Sequence, residues 1–215
     1  MNNSKIRLGI SLRIVEEINY EEKRDALSHD WLTLIENLNA FPILIPNNLK
    51  NLDEFLLTSN LDGIILSGGD NIGKNPERDH SENIIIEFSL KQKIPIFGVC
   101  RGMQIINNYF GGSININSTT EHVKNSHNIQ IINSKFSNMI GKSSLNVNSF
   151  HNNTITKEIL GENLQPFAIS DNDSTIEGFF HTKLPIVGVM WHPERDHAEN
   201  SELILRNIYD DNFWK

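Results

Sequence analysis

The chain has 215 residues, 38% hydrophobic and 21% charged, which suits a folded domain with its own core and excludes a disordered chain. A formal charge of −8 disfavours general nucleic-acid binding. No apolar run approaches a membrane span, Met1 to Arg7 lacks the apolar stretch of a signal peptide, and a single cysteine excludes an intramolecular disulfide. The expectation is a cytoplasmic chain forming one domain over 1–215, with no membrane or nucleic-acid partner.

Lys5 to Ser11 predicts a first strand. Asp30 to Ala40 predicts a helix, with Trp31, Leu34, Ile35 and Leu38 on one face. Phe41 to Pro46 and Leu61 to Ser67 read as short buried strands. Asp79 to Lys91 has helical spacing that turns Ile85, Ile86 and Leu90 toward a sheet. Ile94 to Val99 is another short apolar run. It leads into a helix carrying Met103, Ile106 and Phe110, which Gly111-Gly112 can cap. The pattern then shifts toward alternation: Ile129 to Ile132, Leu145 to Phe150, Phe167 to Ser170 and Thr175 to Phe180 predict strands, some antiparallel. Ile186 to Trp191 is a further buried run. Glu199 to Tyr209 predicts a closing helix with Leu203, Ile204 and Ile208 inward. Strands alternating with helices imply an α/β fold: a doubly wound, mostly parallel sheet with helices on both faces and a small antiparallel addition. Ligands of such sheets bind at the carboxyl ends of the strands.

Cys100 lies between the buried run and the helix, inside Gly98-Val99-Cys100-Arg101-Gly102. This G-x-C-x-G spacing is the thiol counterpart of the G-x-S-x-G elbow, where small neighbours let the backbone close around a strained nucleophile. An exposed sulfur at a helix N-terminus would be activated. The competing reading is a core cysteine, the usual fate of a lone thiol. A cysteine nucleophile needs a base and a group to orient that base. His192 and Glu194 follow the last buried run, with Pro193 restricting the backbone between them. A carboxylate there can accept a hydrogen bond from the imidazole and stabilise its charged form. The other seven histidines lack that context; His122 and His127 show no metal-ligand spacing and read as loop residues. Two backbone N–H groups are candidates for an oxyanion hole: Arg101, directly after the cysteine, and Gly69 in Ser67-Gly68-Gly69-Asp70. The plain alternative for the latter is a glycine turn after a strand.

Gly98-Val99-Cys100-Arg101-Gly102-Met103-Gln104, Ser67-Gly68-Gly69 and Trp191-His192-Pro193-Glu194 resemble the signatures of class I glutamine amidotransferases, in the same order and across essentially the whole chain. The resemblance implies a flavodoxin-like sheet, with Cys100 as nucleophile, His192 as base and acid, Glu194 as orienter, and Gly69 and Arg101 as oxyanion donors. It implies no metal and no redox cofactor. Ser67 departs from a common Pro-Gly-Gly start and leaves both glycines intact.

Arg101 after the nucleophile, the stretch Asn75-Pro76-Glu77-Arg78-Asp79 with Glu82, and Val147-Asn148-Ser149-Phe150-His151 are similar to the γ-glutamyl hydrolase branch. That similarity implies a small-molecule γ-glutamyl substrate, with Gly68, Gln104 and the Ser149-Phe150-His151 backbone around the glutamyl group and Arg78 also at the substrate. Strand-end packing for Ser149 to His151, helix packing for Gln104 and a helix-start charge pair for Arg78 and Asp79 are the alternatives. Arg24 to Trp31 and Phe41 to Asn47 further resemble the γ-glutamyl-CDP-amidate hydrolase group, which releases cytidine diphosphoramidate for capsule decoration. Lys74, Arg78 and Arg101 offer positive charge for a diphosphate. A γ-glutamyl-polyamine hydrolase, a glutaminase subunit feeding a separate synthetase, and a non-catalytic binding protein are the other readings.

Overall fold

Short β-branched runs bury well as parallel strands covered on both faces, and these do. The computed structural model describes residues 5–117, 123–195 and 199–214. Its elements, in chain order, are β1 (Ile6–Ser11), β2 (Arg13–Glu17), β3 (Glu22–Ala26), α1 (His29–Asn37), β4 (Ala40–Ile45), α2 (Leu52–Thr58), β5 (Gly63–Leu66), α3 (Pro76–Gln92), β6 (Ile96–Val99), α4 (Arg101–Tyr109), β7 (Val123–Ile131), α5 (Ser134–Ile140), β8 (Ser144–Phe150), β9 (Leu164–Ser170), β10 (Ile176–His181), β11 (Ile186–Val189) and α6 (Glu199–Ile208).

Among the described residues, nine strands form one sheet in the order β4-β1-β5-β6-β11-β10-β9-β7-β8. The first five run parallel. The remaining four join antiparallel. The parallel part has the flavodoxin-like order 2-1-3-4-5 when its strands are numbered in sequence. The antiparallel part is larger than the small addition expected: it supplies four of the nine strands.

The period-2 alternation of strand side chains divides the core in two. Ile65, Phe97, Val99, Val187 and Val189 pack on one face with α1, α5 and α6. Ile64, Leu66, Ile96 and Ile186 pack on the other with α2, α3 and α4. Each face therefore needs its own helices, which is the doubly wound arrangement.

The helices differ from expectation in instructive places. α3 begins at Pro76, three residues earlier than Asp79, because proline suits the first helical position. Its buried side carries Ile85 and Ile86 as expected, and also Arg78, Ser81, Glu82 and Ser89, which an apolar pattern could not reveal. In α6, Ile204, Leu205 and Ile208 are fully buried, and Leu203 is only half-buried. The inward face is rotated by about one residue. The β2–β3 hairpin, α2 and α5 have no counterpart in the sequence expectation. The hairpin strands are largely polar and exposed, which removes the alternation by which strands are read. After α4, Gly111 N donates to Asn108 O and Gly112 N to Asn107 O, the paired bonds of a Schellman cap.

Candidate active site

The carboxyl ends of β1, β5, β6 and β11 converge, and each brings one part of the site. β6 delivers Cys100 at φ 50° and ψ −104°, a strained backbone for any residue with a Cβ. The strain is held from both sides: Cys100 N donates to Val189 O at 2.8 Å, and Gln104 N donates to Cys100 O at 3.0 Å. A Cβ on Gly102 would overlap the Leu66 carbonyl oxygen, so the elbow helix approaches β5 only because that position is glycine. The sulfur is less exposed than an open elbow implies: Cys100 is 7% exposed and is reached through two cavities that meet at it.

β11 delivers His192 and Glu194, both buried. His192 Nδ1 lies 2.7 Å from Glu194 Oε1. With Nδ1 committed, Nε2 is the nitrogen left for the sulfur. Burial alone would lower the His192 pKa. Hydrogen bonds to Cys100 and Glu194, with the charge of both, outweigh it and push the value up to about 9. Because this lies above the ordinary 6.5, the interaction adds stability that is complete below about pH 6.5 and is lost as pH rises through about 9. The His192 backbone is fixed by Asn148: Nδ2 donates to His192 O at 2.8 Å, and His192 N donates to Asn148 Oδ1 at 2.8 Å. Asn148 stands in the Val147–His151 segment, where the resemblance points to the three residues after it.

The loop after β5 carries Gly68 and Gly69. Gly69 has φ +149°, and a Cβ there would collide with Arg78 Nη1. Arg101 is the first residue of α4, so its N–H has no carbonyl partner inside the helix. Ser67, standing where a proline is common, donates its N–H to Ser11 Oγ at 3.0 Å and its hydroxyl to Ser11 O at 2.7 Å. A proline could make neither bond.

Arg78 and Arg101, expected from the sequence to offer charge to the substrate, are both engaged inside the protein. Arg78 is buried beneath the loop. Its Nη2 donates to Ser67 O at 2.8 Å, Ser67 Oγ at 3.1 Å and Gly68 O at 3.1 Å, and its Nε donates to Glu82 Oε1 at 2.9 Å. The Arg101 guanidinium is buried against Glu82 and Asp79. Glu82 Oε1 also accepts from Ser11 Oγ at 2.9 Å. Burial alone would raise the Glu82 pKa; Arg78 and Arg101 outweigh it and hold the carboxyl below its ordinary range. One carboxylate thus ties together the end of β1, the Gly68 loop and the residue after the nucleophile. Sequence reasoning missed Glu82 in this role, since only folding brings its partners to it.

Gln104, Phe150 and His151 line the second cavity beside Cys100, with Asn153 and Lys74. Gln104 Oε1 accepts from Asn153 Nδ2 at 3.4 Å, and His151 Nδ1 lies 2.9 Å from Asn153 O. Ser149 is fully buried in β8 and does not line either cavity. Lys74 is exposed and pairs with Asp70 at 3.3 Å. His127 is not a loop residue: it is buried in β7, with Nε2 3.6 Å from Glu177 Oε2, and His151 Nε2 lies 3.6 Å from Glu177 Oε1. His122 lies outside the described residues. Among the described residues, no helix is long and apolar enough to cross a membrane.

The chain is 35% identical over 209 residues to the γ-glutamyl-CDP-amidate hydrolase of Campylobacter jejuni, covering 94% of this chain and 96% of that one. It is 32% identical to a glutamine-hydrolysing GMP synthase subunit of Methanococcus vannielii, over 78% of this chain and 82% of that one. A glutamine amidotransferase structure from Thermotoga maritima superposes with a TM-score of 0.66 at 21% identity, covering 89% of this chain and 77% of that one, and shares the fold. Residues 9–194 match the Peptidase C26 family. The chain belongs to that family, within the class I glutamine amidotransferase-like superfamily.

Proposed function

We propose that this chain hydrolyses the amide bond of a γ-glutamyl compound, with Cys100 as nucleophile, His192 as base and acid, and Glu194 as orienter. What supports it is the strained Cys100 elbow, the His192 Nδ1 held 2.7 Å from Glu194 Oε1, and one cavity lined by all three residues. The Cys100 sulfur attacks the γ-carbonyl carbon, forming a C–S bond and moving the carbonyl pair onto oxygen. The Gly69 and Arg101 N–H groups stabilise that oxyanion; one such donor is typically worth ~10²–10³ in rate. His192 gives its proton to the nitrogen as the C–N bond breaks. Water, deprotonated by His192, then attacks the thioester, releasing glutamate and restoring the thiol. All of these steps use groups of this chain.

The substrate proposed is γ-glutamyl-CDP-amidate, giving glutamate and cytidine diphosphoramidate for capsule phosphoramidate. The end-to-end similarity to the Campylobacter jejuni hydrolase favours it. A second reading, a glutaminase that passes ammonia to a synthetase, is favoured by the similarity to GMP synthases. Glutamate release from the nucleotide amide, glutamine and a γ-glutamyl-polyamine, compared side by side, separates them. The hydrolase reading predicts that the nucleotide amide is cleaved fastest. Rapid glutamine hydrolysis that rises on adding a synthetase, with no cleavage of the nucleotide amide, would replace it with the second.

The His192 proton sets the pH range. With its pKa near 9, kcat/KM should hold across neutral pH and fall about tenfold per unit above roughly pH 9. A descending limb near pH 6.5 instead would show that His192 is not coupled to Cys100 and Glu194.

A further inference from the structure

The two cavities that meet at Cys100 are chemically unlike. One is lined by Gln104, His151, Asn152 and Asn153. The other holds His192, Trp31, Phe150 and two guanidinium groups, those of Arg13 and Arg195. Of the two, His192 lines only the arginine-bearing cavity. The proton donor must face the departing nitrogen, so the leaving group has to lie on the His192 side. The acyl half then takes the opposite cavity.

We propose that the cavity between Arg13, Trp31, Phe150 and Arg195 receives the leaving group, and that its two guanidinium groups select one bearing phosphate. This rests on the γ-glutamyl amide reading above. The cavity volume is about 170 Å³, where a single water-sized molecule such as ammonia needs only roughly 10–15 Å³. The cavity wall also carries Asp70 and Glu194, so its two guanidinium groups each stand near a carboxylate.

Neither guanidinium is used up in the fold, unlike those of Arg78 and Arg101. Arg13 reaches Asp70 only at 3.9 Å, and Arg195 reaches Glu194 only at 4.0 Å. Both side chains stay at least 40% exposed. Contacts that long leave donors of both half-exposed guanidinium groups open to the cavity, where they can form bidentate phosphate bonds. The Arg195 guanidinium lies over the Phe150 ring at 4.2 Å, which holds its plane at the cavity wall. The charge that the sequence suggested from Lys74, Arg78 and Arg101 is therefore supplied by other residues. Arg13 comes from the polar hairpin β2–β3, and Arg195 from the residue after Glu194.

The test compares wild type with Arg13→Gln, Arg195→Gln and the double variant by two readouts. The first is the ratio of kcat/KM for γ-glutamyl-CDP-amidate to that for γ-glutamyl-p-nitroanilide, whose leaving group is uncharged. The second is calorimetric binding of CDP alone, which needs no turnover. The ratio is expected to fall tenfold or more in each single variant, and CDP affinity to fall at least tenfold in the double variant. An unchanged ratio, or CDP binding that is absent from wild type or equal in all four proteins, overturns the assignment. If CDP binds and weakens as expected while the nucleotide amide is not cleaved, the pocket stands and the proposed substrate falls. Thermal melts confirm that the exposed substitutions leave the fold intact.

Discussion

Replacing Cys100 by alanine should lower turnover by about 10⁴-fold or more, to the level that binding and oxyanion donors sustain without a nucleophile. The melting temperature should barely move, because alanine has the same Cβ and keeps the same strained φ of 50°. Cys100→Gly separates chemistry from strain. Glycine removes the steric cost of that conformation, about 1–3 kcal/mol for a residue held in a sparsely populated region. The variant should therefore be as inactive as the alanine protein yet melt higher by a few degrees. Steady-state glutamate release and a thermal melt check both. Near-wild-type turnover in Cys100→Ala would end the nucleophile assignment. A Cys100→Gly protein that melts no higher than Cys100→Ala would show that the elbow stores no strain.

The second large effect concerns stability. Glu82→Gln keeps the shape of the side chain and removes the negative charge that compensates two buried arginines. Breaking a buried pair from one side typically costs ~3–5 kcal/mol, since the remaining charge stays buried. For a chain of this size that is a fall in Tm of roughly 6–20 °C. The same dependence appears with acid. Glu82 titrates lower when folded than when unfolded, so its contribution is present above about pH 4.5 and is lost as pH falls through the depressed folded value. The variant should lose that portion of the acid sensitivity. A melt within 1–2 °C of wild type would mean that the carboxylate does not hold the network. Activity should fall as well, because Arg78 carries the Ser67 and Gly68 carbonyls on Glu82. Arg78→Lys in the wild-type chain should lose activity too, since an ammonium cannot serve Glu82 and two carbonyls in one plane.

What could be read from the chain divides along the range of the interactions. The parallel strands, α1 and the elbow helix are visible because their signals are local: β-branched runs, 3.6-residue spacing, and glycines two residues either side of Cys100. The pairing of His192 with Glu194 is local too, since two residues and a proline set their separation. The β2–β3 hairpin and the first turn of α3 were hidden because their residues are polar, whether exposed like Arg24 or buried like Arg78. Hydrophobic period does not distinguish those two cases.

By itself the sequence determined which groups are candidates for the chemistry: one thiol at an elbow, one histidine with a carboxylate two residues on, and two glycines after a strand. Only the tertiary structure decided which charges are built into the interior and which stay exposed. Arg78 and Arg101 look as available as Arg13 and Arg195 in the sequence. Folding places Glu82 between the first two, 4 and 19 residues away in the chain, and thereby neutralises them in the interior. Arg13 and Arg195 come 182 positions apart onto one cavity wall beside Cys100. A buried charge must find its partner and an exposed one need not. Which of these a given arginine will be depends on long-range packing of strand ends, and no spacing along the chain encodes that.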